Sequence, residues 1–257
     1  MIDTHTHLQF DAFEADLSDV MRRMLEAGVH QAIVVGVDLT TSEAAVMLAE
    51  QHDHLFAAVG IHPGDAALAN LKNAADDLAR AIDQTTVAIG EIGLDYKAFD
   101  GIEPDKQVQR TVFEMMITLA NEHRLPAILH SRMAETDVID FIPSHPLKHG
   151  GVVHCYTADY ATAARALDLG LMVSFTAMIT YPKNEALRQV LAKLPHDLVM
   201  IETDCPFLPP QSYRGQRNEP AYLDAVAETV GQVWGKPVEY VDEVTTRNAM
   251  RLFKLKA

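Results

Sequence analysis

Cysteine is scarce in this chain, with Cys155 and Cys205 the only two among 257 residues. Two thiols cannot build a disulfide framework or a four-cysteine zinc site. The sequence also lacks a run of about 20 apolar residues, the length that crosses a bilayer, and begins without a basic-then-apolar leader. We therefore expect a cytoplasmic protein without a membrane segment, and nothing in the sequence implies an obligate protein partner.

Basic residues are also in the minority. Lysine and arginine total 21 against 36 aspartate and glutamate, a net charge of -15 with histidine neutral. A surface of that charge repels polyanions at long range, which argues against a broad surface for duplex DNA or for an anionic membrane. No basic face, zinc finger or helix-turn-helix pattern is visible either. A local anion site inside a cleft stays compatible with this charge.

Short apolar runs of strand length recur along the chain, as in parallel sheets that are covered on both faces. The eight predicted strands are Met1–His5, Gln31–Val37, Phe56–Ile61, Val87–Glu91, Ala127–His130, Val152–His154, Leu171–Phe175 and Leu198–Glu202. Amphipathic spacing predicts helices between and after them at Asp16–Ala27, Ser42–Gln51, Lys106–Glu122, Tyr160–Leu169, Glu185–Lys193, Tyr222–Trp234 and Val241–Phe253. Candidate N-cap or near-cap residues are Ser42, Asp159 and Asn184.

Alternating strands and helices on this scale predict an α/β fold, a single-domain TIM barrel covering residues 1–257. The alternative is an open, doubly wound sheet. In that fold a glycine-rich phosphate loop normally follows the first strand, whereas here the first strand ends in His5-Thr6-His7.

Polar residues that bind metals stand at the carboxyl-terminal ends of these predicted strands: His5, His7, Glu91, His130, His154 and Asp204. In a barrel those ends converge on one face, where active sites form. His5 and His7 are two residues apart, so their rings point to the same side of a strand. Locally hydrogen-bonded core histidines would explain any one of these residues, but they explain the whole set poorly.

Four imidazoles and two carboxylates exceed the needs of one tetrahedral ion, which predicts two divalent ions bridged by Glu91. Such ligands favour Zn, Mn, Fe, Co or Ni over Mg. Glu202 shares the strand parity of Asp204 and is predicted to orient a ligand from behind, the alternative being a pair with a basic neighbour. Cys155 is expected to point away from His154 into the strand–helix layer.

An anionic substrate needs positive groups at the same face. His62, Arg132 and Arg217 are the candidate substrate-binding residues, and Lys183 and Arg214 are further cations on the same loops. A capped strand-end histidine and a solvated loop are the alternatives for His62 and Arg217. Aromatic residues Tyr156 and Phe207 could stack a base, although rim or core positions explain them more simply.

These motifs resemble, in order and over nearly the whole chain, the TatD family of metal-dependent deoxyribonucleases, which are amidohydrolase-like barrels. The stretches that carry the resemblance are Ile2-Asp3-Thr4-His5-Thr6-His7, Gly60-Ile61-His62-Pro63, Gly90-Glu91-Ile92-Gly93-Leu94-Asp95-Tyr96, Leu125–Arg132, Val153-His154-Cys155-Tyr156, Glu202-Thr203-Asp204-Cys205-Pro206, Arg217-Asn218-Glu219-Pro220 and Asn248–Phe253.

The resemblance implies a binuclear site in which His5, His7, Glu91 and Asp204 hold one ion. The other ion would lie between Glu91 and two further ligands, His130 and His154. It further implies that Asp204 orients the attacking water and takes its proton, and that the reaction removes nucleotides from DNA in the 3′ to 5′ direction. The net charge favours a narrow cleft for a single-strand end.

Two other functions are compatible with the same residues. One is hydrolysis of an amide, a lactone or a carboxylic ester in a small molecule, and the other is a metal-binding scaffold without catalysis. No Gly-x-Ser-x-Gly sequence occurs, which argues against a serine hydrolase. Hydrolysis of a phosphoric ester by metal-activated water is the favoured prediction.

Overall fold

The strands of this protein lie side by side in the order of the sequence. A computed structural model describes residues 1–69, 71–98 and 101–256. All seven neighbouring strand pairs are parallel, and a bridge between Thr6 and Cys205 brings the first strand to the last. The strands are β1 Ile2–Thr6, β2 Gln31–Val35, β3 Leu55–Val59, β4 Thr86–Asp95, β5 Ala127–Arg132, β6 Gly151–Val153, β7 Leu171–Phe175 and β8 Val199–Ile201.

Helices connect the strands and cover the outside of this nearly closed barrel. Within the described ranges they are α1 Leu17–Glu26, α2 Leu39–Gln51, α3 Ala74–Ala81, α4 Lys106–His123, α5 Glu135–Phe141, α6 Tyr160–Asp168, α7 Glu185–Leu191, α8 Leu223–Trp234 and α9 Val238–Phe253. The predicted TIM barrel is confirmed. Short helices α3 and α5 were not predicted. None of the helices in the described ranges is both long enough and apolar enough to cross a membrane.

Two apolar layers hold the barrel together, and residues of the strands alternate between them. Ile33 and Val35 of β2 belong to the smaller layer inside the barrel, whereas Ala32 and Val34 belong to the larger layer that packs against the helices. The inner layer also takes in Ile2, Ile128, Val152, Met172, Met200, Ala249, Phe253 and Leu255. Burial on both faces explains why the strands are almost continuously apolar.

Helix α9 closes the end of the barrel at which the strands begin. Asn248 donates a hydrogen bond to the carbonyl of Val199, the first residue of β8. Gln31, the first residue of β2, donates to the carbonyl of Lys256 just after the helix. Phe253 completes the closure by packing into the inner layer. The carboxyl-terminal ends of the strands, at the other end, are left for the site.

The predicted helix caps met different outcomes. Asp159 caps α6 as predicted, its side chain accepting from the amide of Thr162 at 2.8 Å. Asn184 occupies the N-cap position of α7, but its side chain donates to a carbonyl of the preceding turn instead. Ser42 was wrong as a cap, because α2 begins three residues earlier behind Asp38. The Ser42 hydroxyl is buried and accepts from the amide of Gly60.

Strand β4 runs four residues beyond its predicted end at Glu91. Gly93 makes this extension possible, with a positive φ of 145° and a backbone that lies directly against the carbonyl of His130. A Cβ atom there would stand 2.1 Å from that oxygen, so no other residue fits without a backbone shift. The extension carries Asp95 to the rim of the barrel beside His130.

Candidate metal centre

The carboxylate of Glu91 lies at the centre of the cluster, with histidines on either side. Its Oε2 atom lies 3.4 Å from Nε2 of His5 and 3.8 Å from Nε2 of His7. Its Oε1 atom lies 2.7 Å from Nε2 of His154 and contacts Nδ1 of His130. The two oxygens of one carboxylate therefore face two different pairs of imidazoles.

Asp204 completes the first of these sides. Its Oδ1 atom lies 3.5 Å from Nε2 of His7 and 3.8 Å from Nε2 of His5, and the two Nε2 atoms are 3.3 Å apart. Two of the compact groups that could hold a metal ion in the described residues come from this cluster: His5, His7 and Asp204, and His5, Glu91 and His154. The six residues predicted as ligands are thus brought together.

Local irregularity of the backbone places several of these side chains. The pairing register of β1 shifts between Asp3 and Thr6, so Thr4 contacts Glu202 while the adjacent His5 also faces the centre. Beyond β8, Asp204 adopts a positive φ of 57° and its amide donates to the carbonyl of His5 at 2.9 Å. Simple strand alternation does not produce this arrangement.

Hydrogen bonds on the far side of the rings decide which nitrogens can bind a cation. Nδ1 of His7 lies 2.7 Å from the carbonyl of Val35, which only accepts, so the proton is on Nδ1 and the Nε2 lone pair faces the carboxylates. Nδ1 of His154 likewise faces Oε1 of Glu202 at 3.4 Å. Lone pairs aimed at carboxylate oxygens repel unless a proton or a cation lies between them. The donor set therefore fits divalent metal ions.

The carboxylates at the centre are held in their ionised form. Burial alone would raise the pKa of Glu91, but the imidazoles of His154 and His130 outweigh it and keep that pKa well below its usual value. Burial acts in the same sense on Asp204, and a hydrogen bond from Nε2 of His7 in its doubly protonated form keeps that pKa low. Two ionised carboxylates in a buried pocket attract a cation strongly.

Glu202 lies behind His154, as its strand parity predicts. The side chain is 1% exposed and accepts hydrogen bonds from the Ser174 hydroxyl at 2.6 Å and from the Cys155 amide at 2.7 Å. Thr4 donates to the same carboxylate at 3.2 Å. With its oxygens fixed in this way, Glu202 presents Oε1 to Nδ1 of His154 at 3.4 Å.

Asp3 is a second buried carboxylate next to the cluster, and it was not predicted from the sequence. It is fully buried, accepts from the amide and the hydroxyl of Thr203 at 2.9 and 2.6 Å, and accepts from the amide of His5. Burial raises the pKa of Asp3 to about 7. It ties the backbone next to His5 to the backbone next to Asp204, and its place two residues before His5 is the only signal in the sequence.

Asp95 and His62, together with His130, form a third group of potential metal ligands beside the centre. Oδ2 of Asp95 lies 3.5 Å from Nε2 of His130, on the opposite side of the ring from Glu91. These two residues and His62 could also hold an ion by proximity. However, Nδ1 of His62 accepts from the amide of Gly64 at 2.9 Å, so its Nε2 carries the proton and suits a hydrogen bond better than a metal. Burial lowers the pKa of His62 to about 4, which keeps the ring neutral.

A cleft of about 650 Å³ opens above the centre. Its polar lining includes His62, Ser131 and the exposed side chain of Arg132, and its aromatic lining consists of Phe10 and Phe207. Of the predicted substrate-binding residues, His62 and Arg132 therefore lie in the cleft. Phe10 was not singled out in the sequence, because a lone aromatic residue after His-x-His carries no signal of its own.

Arg217 is not among the residues that line this cleft. Its guanidinium forms a two-pronged ion pair with Asp16 at 2.7 and 2.8 Å, donates to the carbonyl of Ala12 and lies over the ring of Phe13. Arg214 packs over Tyr181. The motif at Arg217 fastens a loop to the first helix, so we correct its assignment as a substrate-binding residue.

One further expectation was wrong. Cys155 lines the cleft instead of the strand–helix layer, because β6 ends at Val153 and the positive φ of Cys155, 46°, interrupts the alternation. Tyr156, by contrast, takes the core position that was its simpler explanation: it is 3% exposed and its hydroxyl donates to the carbonyl of Asp159.

Eight parallel strands with a cation-binding cluster at their carboxyl ends define a metal-dependent TIM-barrel enzyme. A family model described as TatD related DNase matches residues 2–254. The uncharacterized metal-dependent hydrolase YabD of Bacillus subtilis (strain 168) is 36% identical over 260 residues, covering 99% of this chain and 99% of that protein. The chain belongs to the TatD family of metal-dependent hydrolases.

Two other similarities add detail. The 3′-5′ ssDNA/RNA exonuclease TatD of Pectobacterium carotovorum subsp. carotovorum (strain PC1) is 31% identical over 262 residues, covering 99% of this chain and 100% of that protein. The crystal structure of YjjV, a TatD homolog from Escherichia coli K12, superposes with a TM-score of 0.94 at 31% identity, covering 100% of this chain and 98% of the other.

Proposed function

We propose that this protein is a divalent-metal-dependent phosphodiesterase that removes nucleotides from the 3′ end of single-stranded DNA. The observation that carries the proposal is the position of Glu91, whose Oε2 faces His5 and His7 while its Oε1 faces His130 and His154. A carboxylate so placed can bridge two ions, an arrangement that suits displacement at phosphorus. The printed activity of the Pectobacterium relative supports nucleic acid as the substrate.

In this proposal Glu91 would be a ligand to both ions. One ion would be held by His5, His7, Glu91 and Asp204, and the other by Glu91, His130 and His154. The candidates are Zn, Mn, Co, Ni and Mg, of which the first four suit imidazole better. Bound there, such ions would supply a water of lowered pKa and positive charge against the phosphoryl oxygens.

The side chains of the protein perform the remaining tasks. Asp204, ionised and at the edge of the cleft, accepts the proton of the attacking water. His62 donates from Nε2 to a phosphoryl oxygen, and Arg132 adds a charged fork from the rim. Glu202 and Asp95 keep the rings of His154 and His130 in their ligating orientation.

The size of the cleft and the net charge of the chain both support a single strand as the substrate. The cleft has a volume of about 650 Å³, which admits a nucleotide or two, while the net charge of -15 opposes a wrapped duplex. We also propose a cytoplasmic location, in keeping with the two free thiols of Cys155 and Cys205.

Elemental analysis followed by a substrate screen tests this function. The purified protein, loaded in turn with each candidate ion, is given 3′-labelled single-stranded DNA, bis(4-nitrophenyl) phosphate, and a panel of lactones and amides. We expect two ions per chain and stepwise release of nucleotides from the 3′ end. Turnover of lactones or amides alone would refute the nuclease proposal.

A variant pair tests the bridging role. Glu91→Gln should lower the bound metal to one ion per chain or fewer and abolish hydrolysis, because an amide has one oxygen to offer a cation instead of two. Glu122→Gln, on the exposed side of α4, is the matched control and should keep both ions. Two bound ions in Glu91→Gln would show that another group provides the bridge.

A further inference from the structure

Phe207 is an exposed aromatic residue at the mouth of a charged site. Its side chain is 51% exposed although it lines the cleft. Its ring meets the ring of Phe10 edge to face, with centroids 6.3 Å apart and planes at 72°. The Phe10 ring in turn stacks on the ring of His7 at 4.6 Å and 9°. An aromatic wall therefore stands directly beside the metal centre.

The backbone that carries Phe207 is held in place from both sides. Its amide donates to the carbonyl of Asp204 at 3.0 Å, and its carbonyl accepts from the side chain of Asn218 at 2.6 Å. Asn218 is fully buried and donates to the carbonyl of Thr203 at 2.9 Å as well. A ring on such a fixed loop loses little conformational entropy when a ligand covers it, so the exposed ring is prepared for binding.

Other residues of the cleft lining offer polar groups instead. His62 lies edge-on to His130 with centroids 4.4 Å apart, and Arg132 extends from the rim. The hydroxyl of Ser131 is buried and has no hydrogen-bond partner among the described residues. A phosphate would use the donors of His62 and Arg132, while an apolar ring of the same ligand would cover Phe207. A nucleotide has both parts, whereas an aliphatic lactone would leave Phe207 uncovered.

We propose that Phe207, supported by Phe10, is the platform on which the base of the 3′-terminal nucleotide stacks, and that this platform selects nucleotides over other phosphate esters. This inference rests on the proposed function and names the specificity determinant of the same site. Stacking on an aromatic face accepts every base, so the platform gives a preference for nucleotides without a preference for sequence.

Binding to the metal-loaded enzyme tests the platform directly. Thymidine 5′-monophosphate carries a base, and 2-deoxyribose 5-phosphate is the matched probe without one. In isothermal titration calorimetry, Phe207→Ala should weaken the first by roughly ten- to hundredfold and leave the second unchanged. Phe207→Trp should retain the affinity. Tyr160→Ala, which removes an exposed aromatic residue of α6, is the control and should change neither.

An equal loss for both probes, or no loss for either, would overturn the platform. Phe207→Leu keeps apolar bulk without a π face and repeats the test if the alanine variant unfolds. In that variant the stacking contribution should still be lost, which separates stacking from simple filling of space. Retained affinity for thymidine 5′-monophosphate in Phe207→Leu would also count against the inference.

Kinetics separate this inference from the proposed function. Single-stranded DNA ending in thymidine is compared with DNA ending in a tetrahydrofuran abasic residue, and Phe207→Ala should raise KM about tenfold for the first only. No hydrolysis of either DNA by the native enzyme would remove the nuclease function, while the calorimetry still decides the platform. Hydrolysis of both with equal KM in the variant would keep the nuclease and overturn the platform.

Discussion

The two ends of the barrel interior differ in their side chains, which are apolar at one end and charged or polar at the other. Where the strands begin, the interior holds apolar side chains such as Ile2, Ile128 and Met200, and Phe253 of α9 closes it. Where the strands end, the interior holds the ionised carboxylates and imidazoles of the cluster around Glu91, all of them buried except the partly exposed His130. The end where the strands begin therefore contributes to stability, and the end where they finish carries the functional residues.

The difference has an energetic side. Apolar packing at the closed end stabilises the fold without help, whereas the buried carboxylates at the open end depend on a compensating positive charge, either a protonated imidazole or a cation. Substitution at the open end should therefore abolish hydrolysis and leave the fold intact. Substitution at the closed end should lower stability and leave the chemistry intact. Three sets of variants test that division.

The largest effect is expected for Asp204→Asn at the open end. The amide cannot accept the proton of the attacking water and binds a cation weakly, so kcat should fall by about a thousandfold. The thermal midpoint of the metal-free protein should change little, because Asp204 lies apart from the apolar layers that hold the barrel together. The measurements are steady-state hydrolysis, elemental analysis and differential scanning calorimetry.

Asp168→Asn, on an exposed residue at the end of α6, is the matched control and should leave all three measurements unchanged. If Asp204→Asn keeps more than a tenth of the native kcat with full metal content, another group must take the proton. If its metal-free form is destabilised by several kcal/mol, the open end contributes to stability and the proposed division between the ends fails.

The next effect belongs to the closed end. Phe253→Ala removes a ring that is 3% exposed, and a cavity left by such a change costs about 3–5 kcal/mol. The folded fraction at 25 °C should keep its native kcat, because the site lies at the other end of the strands. Chemical unfolding followed by circular dichroism gives the stability, and Leu25→Ala on the exposed face of α1 is the control. A lower kcat at full folding would show coupling between the ends.

Sequence patterns predicted the barrel well because parallel strands are buried on both faces and their ends converge. Glu91, His130 and His154 were found because each is a polar residue at the end of an apolar run. That pattern is expected where a barrel strand ends at the face that carries the active site. Alternation along a strand served less well where strands stop or bulge. Cys155 follows a strand that ends two residues earlier, and Asp95 lies on an extension that Gly93 permits.

The roles of charged residues on loops were the hardest to predict from the sequence. Arginines on loops look alike in a sequence, and only coordinates show which carboxylates they meet. Arg217 finds Asp16 on the chain just before α1, a contact between residues 201 positions apart that no local pattern contains. Ser42 was misplaced for a related reason, because Asp38 and Thr41 together form the capping box of α2.

The smallest effect is expected for substitutions of Arg132 and Arg217 at the open end. Arg132 is exposed at the cleft, so Arg132→Ala should raise KM for single-stranded DNA about tenfold through loss of a charge-assisted hydrogen bond, and Arg132→Lys should restore part of it. Arg217→Ala removes an ion pair that is about one-third exposed, which costs at most about 1 kcal/mol of stability and leaves KM unchanged. Because both variants lose one positive charge, long-range attraction changes equally in the two. A raised KM in Arg217→Ala alone would return Arg217 to the substrate and remove Arg132 from it.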